Sequence, residues 1–322
     1  MSLTTLTLDL SIIIPVFNKK TLTLNMLASL VETLPESLAA EVIIVDDAST
    51  DEASGWLASL STTDLACPQI KSLRILRNAH NLGYAKSNNL AAKEARGEFL
   101  ALLNNDLILK PNWLEPMLAM FEKYPSKPII VGNLQYLPFI DELDHAGIEV
   151  RIDTESNRPI IAHRREPIPE QPEKVFAVTG ACCLIARETF ETLGGFDEAY
   201  INGGEDVDLC MKITQAGGAC WVVPASSVWH HVSQTRSYQV ERDEKNSWRL
   251  FKLWHNQIAH ELERSCAELF TSAPHEDPLA KRMATEFLAG TRSLAPIAVK
   301  AMAQKYVQAE LTRWEKQFHA HA

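Results

Sequence analysis

A chain of 322 residues with 46% hydrophobic residues can bury a sizeable core, either as one large α/β domain with an appendage or as two domains. Its net charge is −10, and no run of Lys or Arg is long enough to build the electrostatic stripe that nucleic acid requires, so nucleic acid is excluded as a partner. The acidic surplus falls ahead of residue 239.

Met1 to Leu6 carry no basic region, and Ile12-Ile13-Ile14 is far too short for a signal or a membrane span, which leads to the expectation of a cytoplasmic protein. Residues 8 to 17 read as a strand buried on both faces. A helical stretch from Thr21 to Thr33 follows, then a second strand over residues 41 to 45, a third over 73 to 76, a helix over 85 to 95 and a fourth strand over 98 to 103. Strand and helix alternate, which predicts right-handed crossovers and a mostly parallel sheet whose ligand binds beyond the carboxyl ends of its strands. The polar residues sit at those ends: Phe17-Asn18, Asp46-Asp47, Arg77-Asn78 and Asn104-Asn105-Asp106.

Pro138, Pro159, Pro167, Pro169 and Pro172 break regular structure, so residues 137 to 175 read as a loop-rich insertion. The apolar pattern resumes over 175 to 180. Beyond Ser237 the period becomes helical, with Leu250, Trp254, Ile258, Leu262 and Cys266 every four residues and a second stretch from 279 to 318 interrupted at Gly290 and Pro296. The expected division is therefore a first domain over 1–237 and a helical appendage over 238–322. Six cysteines without C-x-x-C spacing are expected to be buried thiols rather than a metal or redox site.

Four segments can carry chemistry. Asp46-Asp47-Ala48-Ser49-Thr50-Asp51 contains a helix cap, and its two adjacent carboxylates also suit acceptance of a hydrogen bond from the imide N–H of uracil or thymine. Asn81-Leu82-Gly83-Tyr84 reads as a turn before a helix, or as a glycine-permitted approach to a nucleotide; the chain has neither a Walker loop nor G-x-G-x-x-G. Asp106 is either a turn residue or a hard oxygen ligand for Mg²⁺ or Mn²⁺, with His230 or His231 as a second ligand and Asn105 placed for a ribose hydroxyl. Finally, Gly203-Gly204 precedes Glu205-Asp206-Val207-Asp208, an acidic first helical turn. A carboxylate on a glycine hinge there could take a proton from a sugar hydroxyl, with Asp206 the candidate base and Glu205 beside it.

The segments at 11–18 (SIIIPVFN), 44–51 (IVDDASTD), 81–85 (NLGYA), 102–106 (LLNND), 194–198 (GGFDE), 204–209 (GEDVDL) and 228–233 (VWHHVS), taken in order, resemble the family 2 inverting glycosyltransferases, most of all a rhamnosyltransferase-like branch. The resemblance implies a GT-A fold: α/β, with a mixed, mostly parallel sheet and helices on both faces. Its nucleotide-binding half would span about 9–106 and its acceptor half about 107–237. It further implies that Asp47 meets the base, Asn105 the ribose, Asp106 and His230 the divalent metal, and that Asp206 deprotonates the acceptor. Pro15, Phe17, Asn18, Asn81, Gly83, Asn104 and Gly180 would line the nucleotide-sugar pocket. Asn104 departs from the family's D-x-D pattern by replacing its first acid, which leaves one protein carboxylate for a hard cation.

The implied reaction moves a sugar, rhamnose from a dTDP donor or another sugar from UDP, onto a saccharide or lipid-linked saccharide during surface polysaccharide synthesis. A sugar-1-phosphate nucleotidyltransferase would want a glycine-rich loop where Pro15-Val16-Phe17-Asn18 stands. A non-catalytic binding module would need no base at 206. The appendage stripe is expected to pack on the first domain or on a second copy, giving a homodimer. Peripheral contact with the inner face of a membrane stays open, although Lys and Glu are mixed along these helices.

Overall fold

A computed structural model describes residues 8–231, 240–272 and 277–319. The chain start, the 237/238 boundary and the last two residues of the 228–233 segment lie outside them. The described residues group into two compact units, those within 1–148 and 163–238 and those within 149–162 and 239–322.

The first unit opens with Leu10–Val16 (β1), Lys20–Thr33 (α1), Ala40–Asp46 (β2), Glu52–Ser59 (α2), Thr62–Leu65 (α3), Ile70–Arg77 (β3), Tyr84–Glu94 (α4) and Phe99–Leu103 (β4). Leu107–Leu109 (β5), Glu115–Lys123 (α5), Ile129–Tyr136 (β6) and Leu143–His145 (β7) follow. The hairpin Ile148–Asp153 (β8) and Arg158–His163 (β9) leads to Glu173–Val175 (β10), Cys182–Ala186 (β11), Arg187–Thr192 (α6), Glu205–Gln215 (α7) and Ala219–His230 (β12). Four helices come last: Val240–Glu261 (α8), Glu263–Ser272 (α9), Pro278–Leu288 (α10) and Ile297–His319 (α11).

The main sheet runs β10-β12-β6-β11-β4-β1-β2-β3, with β5 added to β12 and β7 to β6. β3, β2, β1 and β4 are parallel, as the alternating pattern requires, and Leu10, Ile12, Ile13 and Ile14 are fully buried. β11 departs from that pattern by lying antiparallel between β4 and β6. The apolar run at 175–180 does not itself form this strand. Gly180 turns against Tyr84, where a Cβ would come within 2.7 Å of the phenol oxygen, and pairing starts at Cys182.

The proline-marked insertion is also more regular than expected. Ile148, Val150 and Ile152 are buried while Glu149, Arg151 and Asp153 are not, a period-two pattern that makes β8. In the second unit Arg158 on β9 donates to both carboxylate oxygens of Glu310 on α11, at 2.7 and 2.8 Å. The stripe Leu250, Trp254, Ile258, Leu262 and Cys266 is buried, and α8 packs on α11 with Phe251 against Trp314, ring centroids 5.1 Å apart. No second copy is needed to cover it. No helix among the described residues is long and apolar enough to cross a membrane.

One charge lies inside the sheet. Glu41, fully buried on β2, accepts from Ser11 Oγ (2.6 Å), the Arg96 amide (2.6 Å) and the Arg74 guanidinium (2.7 Å), while Gly97 N donates to Ser11 Oγ at 2.8 Å. This clasp joins β1, β2, β3 and the turn into β4. Removing one member strands the others without water, so Glu41→Ala is expected to cost about 3 kcal/mol of unfolding free energy, read as a lower urea midpoint at constant slope. An unmoved midpoint would show that the clasp is dispensable.

Candidate active site

The carboxyl ends of the parallel strands form one rim, and side chains bind its loops together. Asn18 adopts φ 62°, and its Oδ1 accepts from Thr50 N (2.7 Å) and Asp51 N (3.2 Å). Its own N donates to Ser49 Oγ at 2.8 Å, so the β1 and β2 loops are clamped to each other. Asp51 caps α2 through Ala53 N, as the sequence suggested. Asp46 turns to Ser49 N and to the Arg77 guanidinium, at 2.8 and 3.2 Å.

Asp47 is buried and holds the loop before α4. Its Oδ1 accepts from Asn78 Nδ2 (2.7 Å) and Leu82 N (2.8 Å), and its Oδ2 accepts from Gly83 N (2.9 Å). Gly83, at φ 84°, allows that approach, and Asn81 stays exposed. The next residue carries the connection onward. Tyr84 N donates to Asn202 Oδ1 at 3.0 Å and its hydroxyl to Gly180 O at 2.6 Å, and burial holds this phenol well above the ordinary tyrosine range.

Gly180 in turn donates its N–H to Asp206 Oδ2 at 3.0 Å. The carboxylates at 47 and 206 are therefore joined by a short run of contacts. Gly203 and Gly204 both have positive φ, as a hinge before α7 needs. The two candidate acids there differ: Glu205 is buried and accepts from Gly203 N at 2.7 Å, whereas Asp206 is partly exposed. Asp208 is buried with Lys212 at 2.9 Å.

The end of β4 reaches the same place, because Asn104 N donates to Ala181 O at 2.8 Å. Asn105 is turned inward, with Nδ2 donating to Thr23 Oγ1 on α1 at 2.9 Å, which uses one of its two amide N–H groups. Pro15 pairs in register with Val45, and half-buried Phe17 follows it onto the rim.

Asp106 and His230 meet where β5 pairs with β12. Asp106 Oδ1 and His230 Nε2 lie 3.2 Å apart, both buried, and neither makes a hydrogen bond among the described residues. His230 Nδ1 is 3.0 Å from Gln135 Oε1, which can only accept. With the amide in this orientation the ring proton would be on Nδ1 and the Nε2 lone pair would face the carboxylate. Two acceptors about 2.1 Å from an octahedral cation and cis to each other lie roughly 3 Å apart, so this pair fits a divalent ion. No third His, Cys, Asp or Glu joins them among the described residues. His231 is placed otherwise, its N bonded to Asp106 O at 3.1 Å and its ring against Phe139.

Sequence reasoning missed Gln135 and Asn202, and named Asn78 as a strand end without its partner Asp47. The readable sign of Gln135 was a second amide, after Asn133, in a largely apolar strand. Its neighbour in register on β7 is His145, a fully buried ring that burial, then His163, holds well below the ordinary histidine range.

Comparison with known proteins bears on the same elements. The family description "Glycosyl transferase family 2" matches residues 11–194. The chain is 29% identical over 252 residues to N-acetylgalactosaminyltransferase 6 of Drosophila melanogaster, covering 73% of this chain and 36% of that protein. It is 30% identical over 184 residues to O-antigen biosynthesis protein RfbC of Myxococcus xanthus, covering 54% and 14%. It thus spans less than half the length of these curated relatives.

Among solved structures, GalNAc-T7 with UDP, GalNAc and Mn²⁺ superposes at a TM-score of 0.62 with 19% identity, covering 97% of this chain and 58% of that one. S. aureus TarS 1–349 in complex with UDP-GlcNAc superposes at 0.59 with 15% identity, covering 94% and 88%. At these identities the likeness establishes the GT-A fold and nothing finer. The family match runs from Ser11 on β1 to Gly194 after α6, more than half of the sequence, and the chain belongs to glycosyl transferase family 2.

Proposed function

We propose that this protein transfers a sugar from a nucleoside-diphosphate donor to a hydroxyl of a saccharide or lipid-linked saccharide, with inversion at the anomeric carbon. The observation that carries this reading is the buried Asp106–His230 pair, two acceptors facing each other across 3.2 Å. Asp106 and His230 would hold Mg²⁺ or Mn²⁺, which when bound supplies positive charge against a diphosphate leaving group. The Mn²⁺ with UDP in GalNAc-T7 and the UDP-GlcNAc in TarS support that donor class.

The remaining steps belong to side chains. Asp206, partly exposed on its glycine hinge and steadied by Gly180 N, takes the proton of the acceptor hydroxyl. The acceptor oxygen then bonds to the anomeric carbon as the bond to the diphosphate oxygen breaks on the opposite face, and the nucleoside diphosphate leaves with that electron pair. Glu205 shapes the hinge through Gly203 rather than sharing the proton. Asp47 already accepts three N–H groups, and a carboxylate offers about four acceptor positions, so one remains for the imide of a uracil or thymine base. The amide oxygen of Asn105 and its second N–H remain for a ribose hydroxyl.

The names of the relatives favour a UDP-linked N-acetylhexosamine over the dTDP-rhamnose expected from the sequence branch. Similarity to an O-antigen biosynthesis protein supports a role in surface polysaccharide assembly. No observation favours nucleotidyl transfer or simple binding.

Three measurements bear on this reading. Asp206→Asn is expected to keep donor KM near the wild-type value while kcat falls about 10²- to 10⁴-fold; unchanged turnover would move the base elsewhere. His230→Ala and Asp106→Asn are each expected to weaken Mn²⁺ binding in the presence of UDP, followed by spin-resonance titration, and unaltered binding in both would dissolve the cation site. In a thermal-shift and donor-hydrolysis screen with Mn²⁺, UDP-GlcNAc or UDP-GalNAc should respond; a response confined to dTDP-rhamnose would restore the rhamnosyl branch.

A further inference from the structure

We propose that Gln135 is a positioning residue that decides whether the Asp106–His230 pair can hold a cation at all. The inference rests on the reading of that pair given above and assigns the residue that makes it possible.

Gln135 stands near the end of β6, two residues after the other buried amide of that strand, Asn133, and is itself buried. It pairs in register with Val228, two residues before His230 on β12, which brings its amide to the imidazole. Oε1 lies 3.0 Å from His230 Nδ1, while the amide nitrogen has no hydrogen-bond partner among the described residues. The orientation of this amide decides what the ring offers on its other side.

A neutral imidazole carries one ring proton. With Oε1 as acceptor, that proton is on Nδ1, and Nε2 presents a lone pair to Asp106. Were the amide turned round, its N–H would donate to Nδ1, the ring proton would move to Nε2, and Nε2–H would bond to Asp106 Oδ1. The pair would then satisfy itself and offer nothing to a cation. One amide orientation thus separates a metal site from a closed hydrogen bond, in the way that outer partners set the tautomer of ligating histidines.

The test compares wild type, Gln135→Leu and Gln135→Glu, each loaded with UDP and Mn²⁺. Mn²⁺ affinity is read by spin-resonance titration, histidine ligation by the ¹⁴N hyperfine coupling of the bound ion, and folding by the thermal midpoint without Mn²⁺. Wild type is expected to show coupling to one histidine nitrogen. Gln135→Leu should lose that coupling and bind Mn²⁺ about 10- to 100-fold more weakly, with an undiminished metal-free midpoint. Gln135→Glu should keep the coupling, because a carboxylate accepts from Nδ1 whichever way it turns.

Full coupling in Gln135→Leu would overturn the proposal. So would a lowered metal-free midpoint in both variants together with lost coupling, since that pattern marks a packing role. If wild type transfers sugar and shows nitrogen coupling that is indifferent to residue 135, the positioning role alone fails. If wild type binds neither UDP nor Mn²⁺, the proposed function fails, and this inference with it.

Discussion

A single buried carboxylate holds the nucleotide side of this rim in place. Asp47 accepts three N–H groups from the segment between β3 and α4, and that segment would otherwise leave backbone donors unmet beside the sheet. The rest of the crevice follows from it. Gly83 fixed on Asp47 puts Tyr84 where it can reach Asn202 and Gly180, and Gly180 in turn sets Asp206. The carboxylate that would recognise a base is therefore linked through three residues, Gly83, Tyr84 and Gly180, to the one that would take a proton.

The second half of the site depends on a break in the parallel pattern. β11 runs antiparallel between β4 and β6, and its start beside Asn104 brings the Gly180 turn against the end of β4. β12, parallel to β6 and antiparallel to β5, carries His230 back to Asp106 across more than a hundred residues of chain. Hydrogen bonds to backbone fix the positions, and the acceptors left over are the chemistry. Asp106 Oδ1 and His230 Nε2 stand out because buried polar atoms are normally paired.

Asn104 in place of an acid becomes intelligible in this setting. Its backbone ties β4 to Ala181, while the carboxylate two residues on, at Asp106, would be supplemented as a ligand by an imidazole instead of a second carboxylate. The second unit uses a different device, a forked Arg158–Glu310 contact that fastens the β8–β9 hairpin to α11.

Much was legible in the sequence because it is local. The runs of isoleucine and valine at 10–16 and 40–46 report strands buried on both faces, Asp51 reports a cap, and Gly203-Gly204 ahead of three acids reports a hinge and a helix start. The ordered segments that carry the family resemblance lie at strand ends, at the starts of α4 and α7 and just after α6. The antiparallel β11 was not legible, since apolar periodicity records burial and is silent on a strand's partner and direction. Nor was the inward turn of Asn105, whose partner Thr23 is 82 residues away, or the grip of Gln135 on His230 across 95 residues. Sequence determined which residue types stand at the rim; tertiary structure alone decided which oxygen, and which side of an imidazole, each one turns toward the crevice, because hydrogen-bond direction is set by partners that only folding brings near.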